Sequence, residues 1–168
     1  MPVAFWITPE SSSVLPLEYS NIVFGGNSAG LATTYASGLS VVNTIRGMKL
    51  DARLRPLLGT GSGGLSGPAL KPIALAAVHS CFKATRMPIV GMGGVASGRD
   101  ALELFAAGAS AVALGTVLFS DPSAPARIRE ELSAELATLG LASVEHARGI
   151  SHEEALPKRK HLDLGSRV

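Results

Sequence analysis

The chain has 168 residues, 46% of them hydrophobic and 17% charged, and 15 Lys and Arg against 13 Asp and Glu leave a formal net charge of +2. This composition excludes disorder over most of the length, and a single cysteine excludes an internal disulfide or a cysteine-built metal or cluster site from this chain. Scattered charge argues against nucleic acid as a partner; no apolar run approaches the roughly 18 residues of a membrane span, and Met1-Pro-Val-Ala-Phe-Trp6 lacks a charged leader before an apolar core, so a soluble, untargeted cytoplasmic protein is expected.

Taken in chain order, Pro2 to Ile7 reads as one buried strand, whereas residues 10 to 37 carry no sustained period and read as loop or poorly specified helix. From Gly38 to Gly140 short apolar runs alternate with amphipathic stretches, the pattern of parallel βα units. Gly38 to Val42 is a β-branched strand ending at Asn43-Thr44. The glycine-rich loop Gly59 to Gly67 leads into a helix opened by Pro68 or Pro72 and carried by Ile73, Ala76, Ala77 and Ser80. Met87 to Gly91 is the next strand, stopping at Gly93-Gly94. Ser97 and Asp100 form a capping-box pattern for a helix with Leu102, Phe105 and Ala106 on its apolar face and Gly108 at its end. Ala109 to Leu114 is a strand ending in Gly115-Thr116, and Ile128, Leu132, Leu136 and Leu139 mark one face of a last helix. Beyond about Gly149 the chain turns polar. Lys158-Arg159-Lys160, flanked by Glu153, Glu154 and Asp163, reads as a solvated, disordered tail. The organisation expected is an irregular segment 1–37, a regular unit 38–152 and a tail 153–168.

Three strands end in polar or glycine-rich signatures, Asn43-Thr44, Gly93-Gly94 and Gly115-Thr116. Ligands collect at the carboxyl ends of parallel strands, so all three should face one ligand. Gly93-Gly94 offers unobstructed backbone N–H groups just before a helix N-terminus, and Gly115-Thr116 repeats the device with a hydroxyl, as in the phosphate site of a βα barrel. A dinucleotide fingerprint fails, because Gly91-Met-Gly93 is followed by Ala96 where glycine is needed. Asn43 can orient a planar polar ligand or simply make a turn. Cys81 reads as a buried structural thiol, and His79, two residues away on the same helix, forms no dyad with it. No catalytic triad or metal-ligand spacing is visible, so no catalytic or metal residue is assigned.

The run Val42-Asn-Thr44, Gly47-Met-Lys-Leu-Asp51, Gly63-Gly-Leu-Ser-Gly-Pro-Ala-Leu-Lys-Pro72, Pro88-Ile-Val-Gly-Met-Gly-Gly-Val95, Asp100-Ala-Leu-Glu103, Ala107-Gly-Ala109 and Gly115-Thr116 resembles the C-terminal half of class 1 dihydroorotate dehydrogenases over about residues 38 to 152. Within the class it looks most like the NAD-linked type, which works with an iron–sulfur flavoprotein electron-transfer subunit; the pyrimidine-reducing domain of dihydropyrimidine dehydrogenase is the nearest competitor. The resemblance implies a TIM (β/α)₈ barrel of which only about the last four βα units are present, FMN at the carboxyl-end face, and oxidation of dihydroorotate to orotate in pyrimidine biosynthesis. By position, Val42, Gly67, Gly93, Gly94, Gly115 and Thr116 look like FMN contacts, and Asn43 and Thr44 like contacts to dihydroorotate or orotate.

A complete barrel takes about 250 residues. The family's catalytic base, its substrate lysine and several of its orotate-binding asparagines have no counterpart here. Met1 to Pro9 resembles the fifth strand but carries Trp6 where the family places a lysine against the flavin. The expectation is therefore an FMN-binding fragment inactive on its own, with a non-catalytic flavin- or phosphate-binding half-barrel as the alternative. Open sheet edges, and inward faces bearing Leu39, Val41, Ile89 and Val112 or their neighbours, should drive homo-oligomerisation or association through those edges.

Overall fold

A computed structural model describes residues 5–7 and 38–153. The expectations for 10–37, and for the tail from 154 onward, lie outside the described residues. Six strands are described: β1 (Phe5–Ile7), β2 (Leu39–Val41), β3 (Ile45–Gly47), β4 (Gly63–Leu65), β5 (Ile89–Met92) and β6 (Ala111–Leu114). The helices are α1 (Lys71–Thr85), α2 (Gly98–Ala106), α3 (Val117–Ser120), α4 (Ala124–Thr138) and α5 (Val144–Ala147), with 3₁₀ turns at Pro68–Leu70 and Ile150–His152.

The main sheet has the order β1-β6-β5-β2, and β2, β5 and β6 run parallel, with Val41 opposite Gly91, Gly91 opposite Val112 and Met92 opposite Ala113. A right-handed βαβ crossover through α2 is the connection such neighbours require. β1 departs from the fifth-strand expectation, which would set it parallel beside β2. It lies on the opposite edge, antiparallel to β6, with Phe5 opposite Leu114 and Ile7 opposite Val112. The outer edge of β6 presents a row of backbone donors and acceptors that an N-terminal strand can satisfy in either direction, so one expected open edge is covered. β3 and β4 form an antiparallel hairpin over the carboxyl end of the sheet that periodicity did not reveal.

Helices α1, α2 and α4 cover one face of the sheet. The core there is Ala74, Val78 and Phe82 of α1, Ile89 of β5, Leu102, Leu104 and Phe105 of α2, Val112 and Leu114 of β6, and Ile128 and Leu132 of α4. The buried stripe of α1 thus runs one residue later than the sequence suggested, and Ile73 is exposed. An Ala-rich helix offers little contrast between adjacent faces, so its phase is poorly marked. α2 is buried on Ala101 and Leu104 as well as Leu102 and Phe105, while Ala106 is half-buried. Leu139 caps α4 and is exposed, and Cys81 is half-buried against the core. Of the two alternatives for the inward face, the neighbours of the named residues take it. Leu39, Val41, Ile89 and Val112 pack on the helix side, and strand alternation turns their neighbours Ser40, Val90 and Met92 to the other face, where Ser40 Oγ lies 3.9 Å from Met92 Sδ.

The chain beyond Gly149 does not fray at once, because local hydrogen bonds outweigh its polar composition. Ser151 Oγ donates to the Ala106 carbonyl at 2.9 Å, and His152 Nε2 donates to the Ala107 carbonyl at 2.9 Å. The His152 ring stacks on His79 of α1 with centroids 3.8 Å apart and an interplanar angle of 9°. Burial holds the His79 pKa below its ordinary value, with His152 and Lys83 pushing the same way and the Ser151 carbonyl opposing. The unfolded chain therefore protonates this imidazole first, and its contribution to stability, complete at neutral pH, is lost as pH falls through about 6.5 and below. Thermal melts at fixed ionic strength should show stability declining from pH 7 to 5 in the wild type and a flatter decline in His79→Gln; identical slopes would refute the assignment.

Candidate functional site

Parallel register brings three loops to one end of the sheet. Val42 leaves β2 with its N–H donating to the Met92 carbonyl at 2.9 Å, which sets it beside the end of β5. The pairing of Met92 with Ala113 places Gly93-Gly94 next to the Leu114-Gly115-Thr116 turn. The third side is built from the other direction. Gly67 caps the 3₁₀ turn Pro68–Leu70, and Leu70 and Lys71 run against Gly93 and Gly94. Val42, Gly67, Gly93, Gly94, Gly115 and Thr116 therefore ring the carboxyl end of the sheet.

Gly94 has φ of 75°, and a Cβ there would come within 2.7 Å of the Lys71 backbone nitrogen, so both conformation and packing require glycine. Gly67, at φ 81°, meets no described residue where a Cβ would stand. Its left-handed backbone leaves that approach to the site uncovered.

The first amides of α2 and those just before it are already satisfied from within the chain. Ala96 N–H and Ser97 N–H donate to Asp100 Oδ2 at 3.0 and 2.9 Å, and Gly98 N–H donates to Glu131 Oε2 at 2.7 Å. Two internal carboxylates already match its partial charge. The amides left over are upstream: among the described residues, the N–H groups of Gly93, Gly94 and Val95 have no hydrogen-bond acceptor. They are three consecutive amides in a turn with two positive-φ glycines, the kind of backbone that can present donors to an anion.

The supporting carboxylates are tied down by cations. Burial raises the Asp100 pKa, but the Lys71 ammonium, the Ala96 N–H and Ser97 outweigh it and hold the carboxyl below its usual value. Glu131 is held low by the Gly98 N–H and then by Arg127. Arg127 also reaches the Ala96 carbonyl at 3.3 Å and Asp121 Oδ2 at 2.8 Å, joining the loop after β5 to the segment after β6.

Asn43 and Thr44 are exposed on the same rim. Asn43 Oδ1 accepts from Thr44 N–H at 2.7 Å, so the turn reading holds for the oxygen while the amide NH₂ remains a donor. The Thr44 side chain fills the space beside Gly64, where a Cβ would lie 2.3 Å from its Oγ1. Gly64, Lys71 and Glu131 are the site's supports that sequence reasoning passed over. Only the crowding of Gly63-Gly64 ahead of Lys71 hinted at them. An apolar cleft of about 280 Å³ lies elsewhere, on the outward side of α2 between Leu102, Leu139, Leu141 and Ile150, and takes no part in this site. Among the described residues no group of three or more His, Cys, Asp or Glu could hold a metal, and no helix is long and apolar enough to cross a membrane.

Residues 27–136 match the family described as Dihydroorotate dehydrogenase. A Solibacter usitatus protein provisionally named dihydroorotate dehydrogenase A (fumarate) is 53% identical over 107 residues, covering 63% of this chain and 35% of the relative. The catalytic subunit of dihydroorotate dehydrogenase B (NAD(+)) from Bacillus thuringiensis (strain Al Hakam) is 44% identical over 130 residues, covering 77% of this chain and 42% of the relative. The chain thus spans 35% and 42% of the lengths of these two relatives. Among solved structures, DHODH of Eimeria tenella in complex with ferulenol superposes with a TM-score of 0.60 at 33% identity, over 70% of this chain and 32% of that one. The parallel sheet, the loops at its carboxyl end and the match over residues 27–136 agree, and the chain belongs to the dihydroorotate dehydrogenase family.

Proposed function

We propose that residues 38–152 are the flavin-phosphate portion of an FMN-dependent dihydroorotate dehydrogenase of the NAD-linked type, corresponding to about the last four βα units of its barrel. The observation that carries this reading is the row of amides at Gly93, Gly94 and Val95, without acceptors among the described residues and set beside Val42 and Gly115-Thr116. Such a row fits a phosphate, and the uncovered backbone at Gly67 fits the approach of a flat ring or ribityl chain. Val42, Gly67, Gly93, Gly94, Gly115 and Thr116 would hold FMN, and the Asn43 NH₂ with the Thr44 rim would face dihydroorotate or orotate.

When bound, FMN supplies hydride acceptance for the oxidation of dihydroorotate to orotate. The chain's own part is to fix the phosphate, orient the cofactor and offer Asn43 as a donor to the substrate ring. The base that removes the substrate's proton is not among these residues. Electrons would pass onward to an iron–sulfur flavoprotein subunit in the whole enzyme. The inward face around Ser40, Val90 and Met92 and the outer edge of β2 are what the remaining barrel wall, or a second copy, would cover.

Gly115 is exposed and has space for a side chain among the described residues, so substitutions there test the site without disturbing the fold. Gly115→Asp, which sets a carboxylate against the phosphate, should weaken FMN binding by at least about tenfold, whereas Gly115→Ala should stay within about threefold of wild type. Flavin-fluorescence titration reads this, and equal affinities for Gly115→Asp and wild type would remove the phosphate assignment. The 168-residue chain loaded with FMN should show no bleaching of flavin absorbance by dihydroorotate at an enzymatic rate, since general-base help worth about 10²–10⁴-fold is missing. Rapid anaerobic bleaching in stopped flow would contradict it.

A further inference from the structure

We propose that Lys71 is a positioning residue for the amide cradle, fixing its shape and cancelling the negative charge packed behind it; this rests on the reading of that cradle as a flavin-phosphate site. Lys71 touches the cradle in two ways. Its backbone nitrogen and Cβ both stand 2.7 Å from the point where a Gly94 Cβ would be, so α1 begins directly under the turn. Its side chain crosses to α2, where Nζ donates to Asp100 Oδ1 at 2.5 Å and lies 2.8 Å from Glu103 Oε2. Asp100 in turn accepts from Ala96 N–H, Ser97 N–H and Ser97 Oγ through its other oxygen. The result is a closed loop of contacts, from the Lys71 backbone to Gly94, along the chain to Ala96 and Ser97, through Asp100 and back to the Lys71 ammonium.

The ammonium does not point at the amide row. Both its carboxylate partners are on α2, and the Lys71 and Asp100 side chains keep 26% and 15% of their exposure. Its effect on an anion is therefore indirect. Without it, Asp100 would have no cationic partner among the described residues and Glu103 would keep only Arg99, at 3.4 Å, so negative charge would stand beside a site meant for a dianion, only partly screened. The same loss would free Asp100 from one of its anchors and loosen the turn that presents the amides. Arg at this position can restore both functions because it keeps the charge and can bridge two carboxylates. Met keeps the length and apolar stem but neither function.

The test compares FMN with riboflavin, which lacks the phosphate, in wild type, Lys71→Met and Lys71→Arg, together with amide hydrogen exchange of Ala96 and Ser97 in the flavin-free chain. Wild type should prefer FMN. Lys71→Met should lower the FMN-to-riboflavin affinity ratio about tenfold, with Lys71→Arg recovering most of it. Exchange at Ala96 and Ser97 should quicken in Lys71→Met alone. A merely structural role would weaken both flavins equally and leave the ratio where it was, which would overturn the proposal. If wild type shows no preference for FMN, the phosphate reading itself fails. Exchange then decides the role of Lys71: unchanged rates at Ala96 and Ser97 overturn it, and faster rates in Lys71→Met uphold it as the turn's clamp.

Discussion

The described chain is organised around the burial of α2. Ala101 and Leu104 are fully buried, with Phe105 and Leu102 nearly so, and between them they meet the sheet on one side and α1, α4 and α5 on the others. Each such side chain contributes about 1.5–3 kcal/mol by leaving water, so the helix must sit in this one place. The first amides of a helix whose inner face is so buried need acceptors, and Ser97 Oγ takes Asp100 N–H while carboxylates take Ala96, Ser97 and Gly98 N–H. Asp100 comes from the helix itself and Glu131 from α4, so the amides that these carboxylates occupy are closed to a ligand and those of the preceding turn are the ones left over among the described residues.

That arrangement gives the glycines separate duties. Gly94 exists as glycine because Lys71 is beneath it and its φ lies in the left-handed region. Gly67 has no neighbour to avoid among the described residues, where its positive φ serves the direction of the chain. Arg127 then locks the turn after β5 to the segment after β6 through the Ala96 carbonyl and Asp121, so two loops that are distant in sequence share one rigid support.

Much of this was legible in the residues. The Pro and Gly punctuation marked β2, β5 and β6, and Ser97 with Asp100 declared the start of α2, because strand ends and caps are written in local chemistry. What was not legible depended on contrast or on distance. The faces of α1 differ too little in hydropathy to show that Ala74, Val78 and Phe82, and not Ile73, turn inward. The β3–β4 hairpin is built from three-residue strands rich in glycine, below the length at which alternation can be seen. The strap at Ile150–His152 looked like tail because its anchors, the carbonyls of Ala106 and Ala107, are backbone groups 45 residues away. The Asp100 cap was visible but the Glu131 cap was not, since its partner Gly98 lies 33 positions earlier on another helix.

The direction of β1 has a kinetic meaning. A strand held in the same chain as its partner competes for that partner at an effective concentration of about millimolar, far above what a separate molecule reaches. Because β1 lies antiparallel on β6, any strand arriving to extend the parallel sheet there meets a seam that is already zipped, and with the opposite polarity. Joining at that edge is therefore a replacement and not an addition. Its pace is set by how often β1 lifts away, a unimolecular event, and past that limit it would not quicken however much of the incoming strand is supplied.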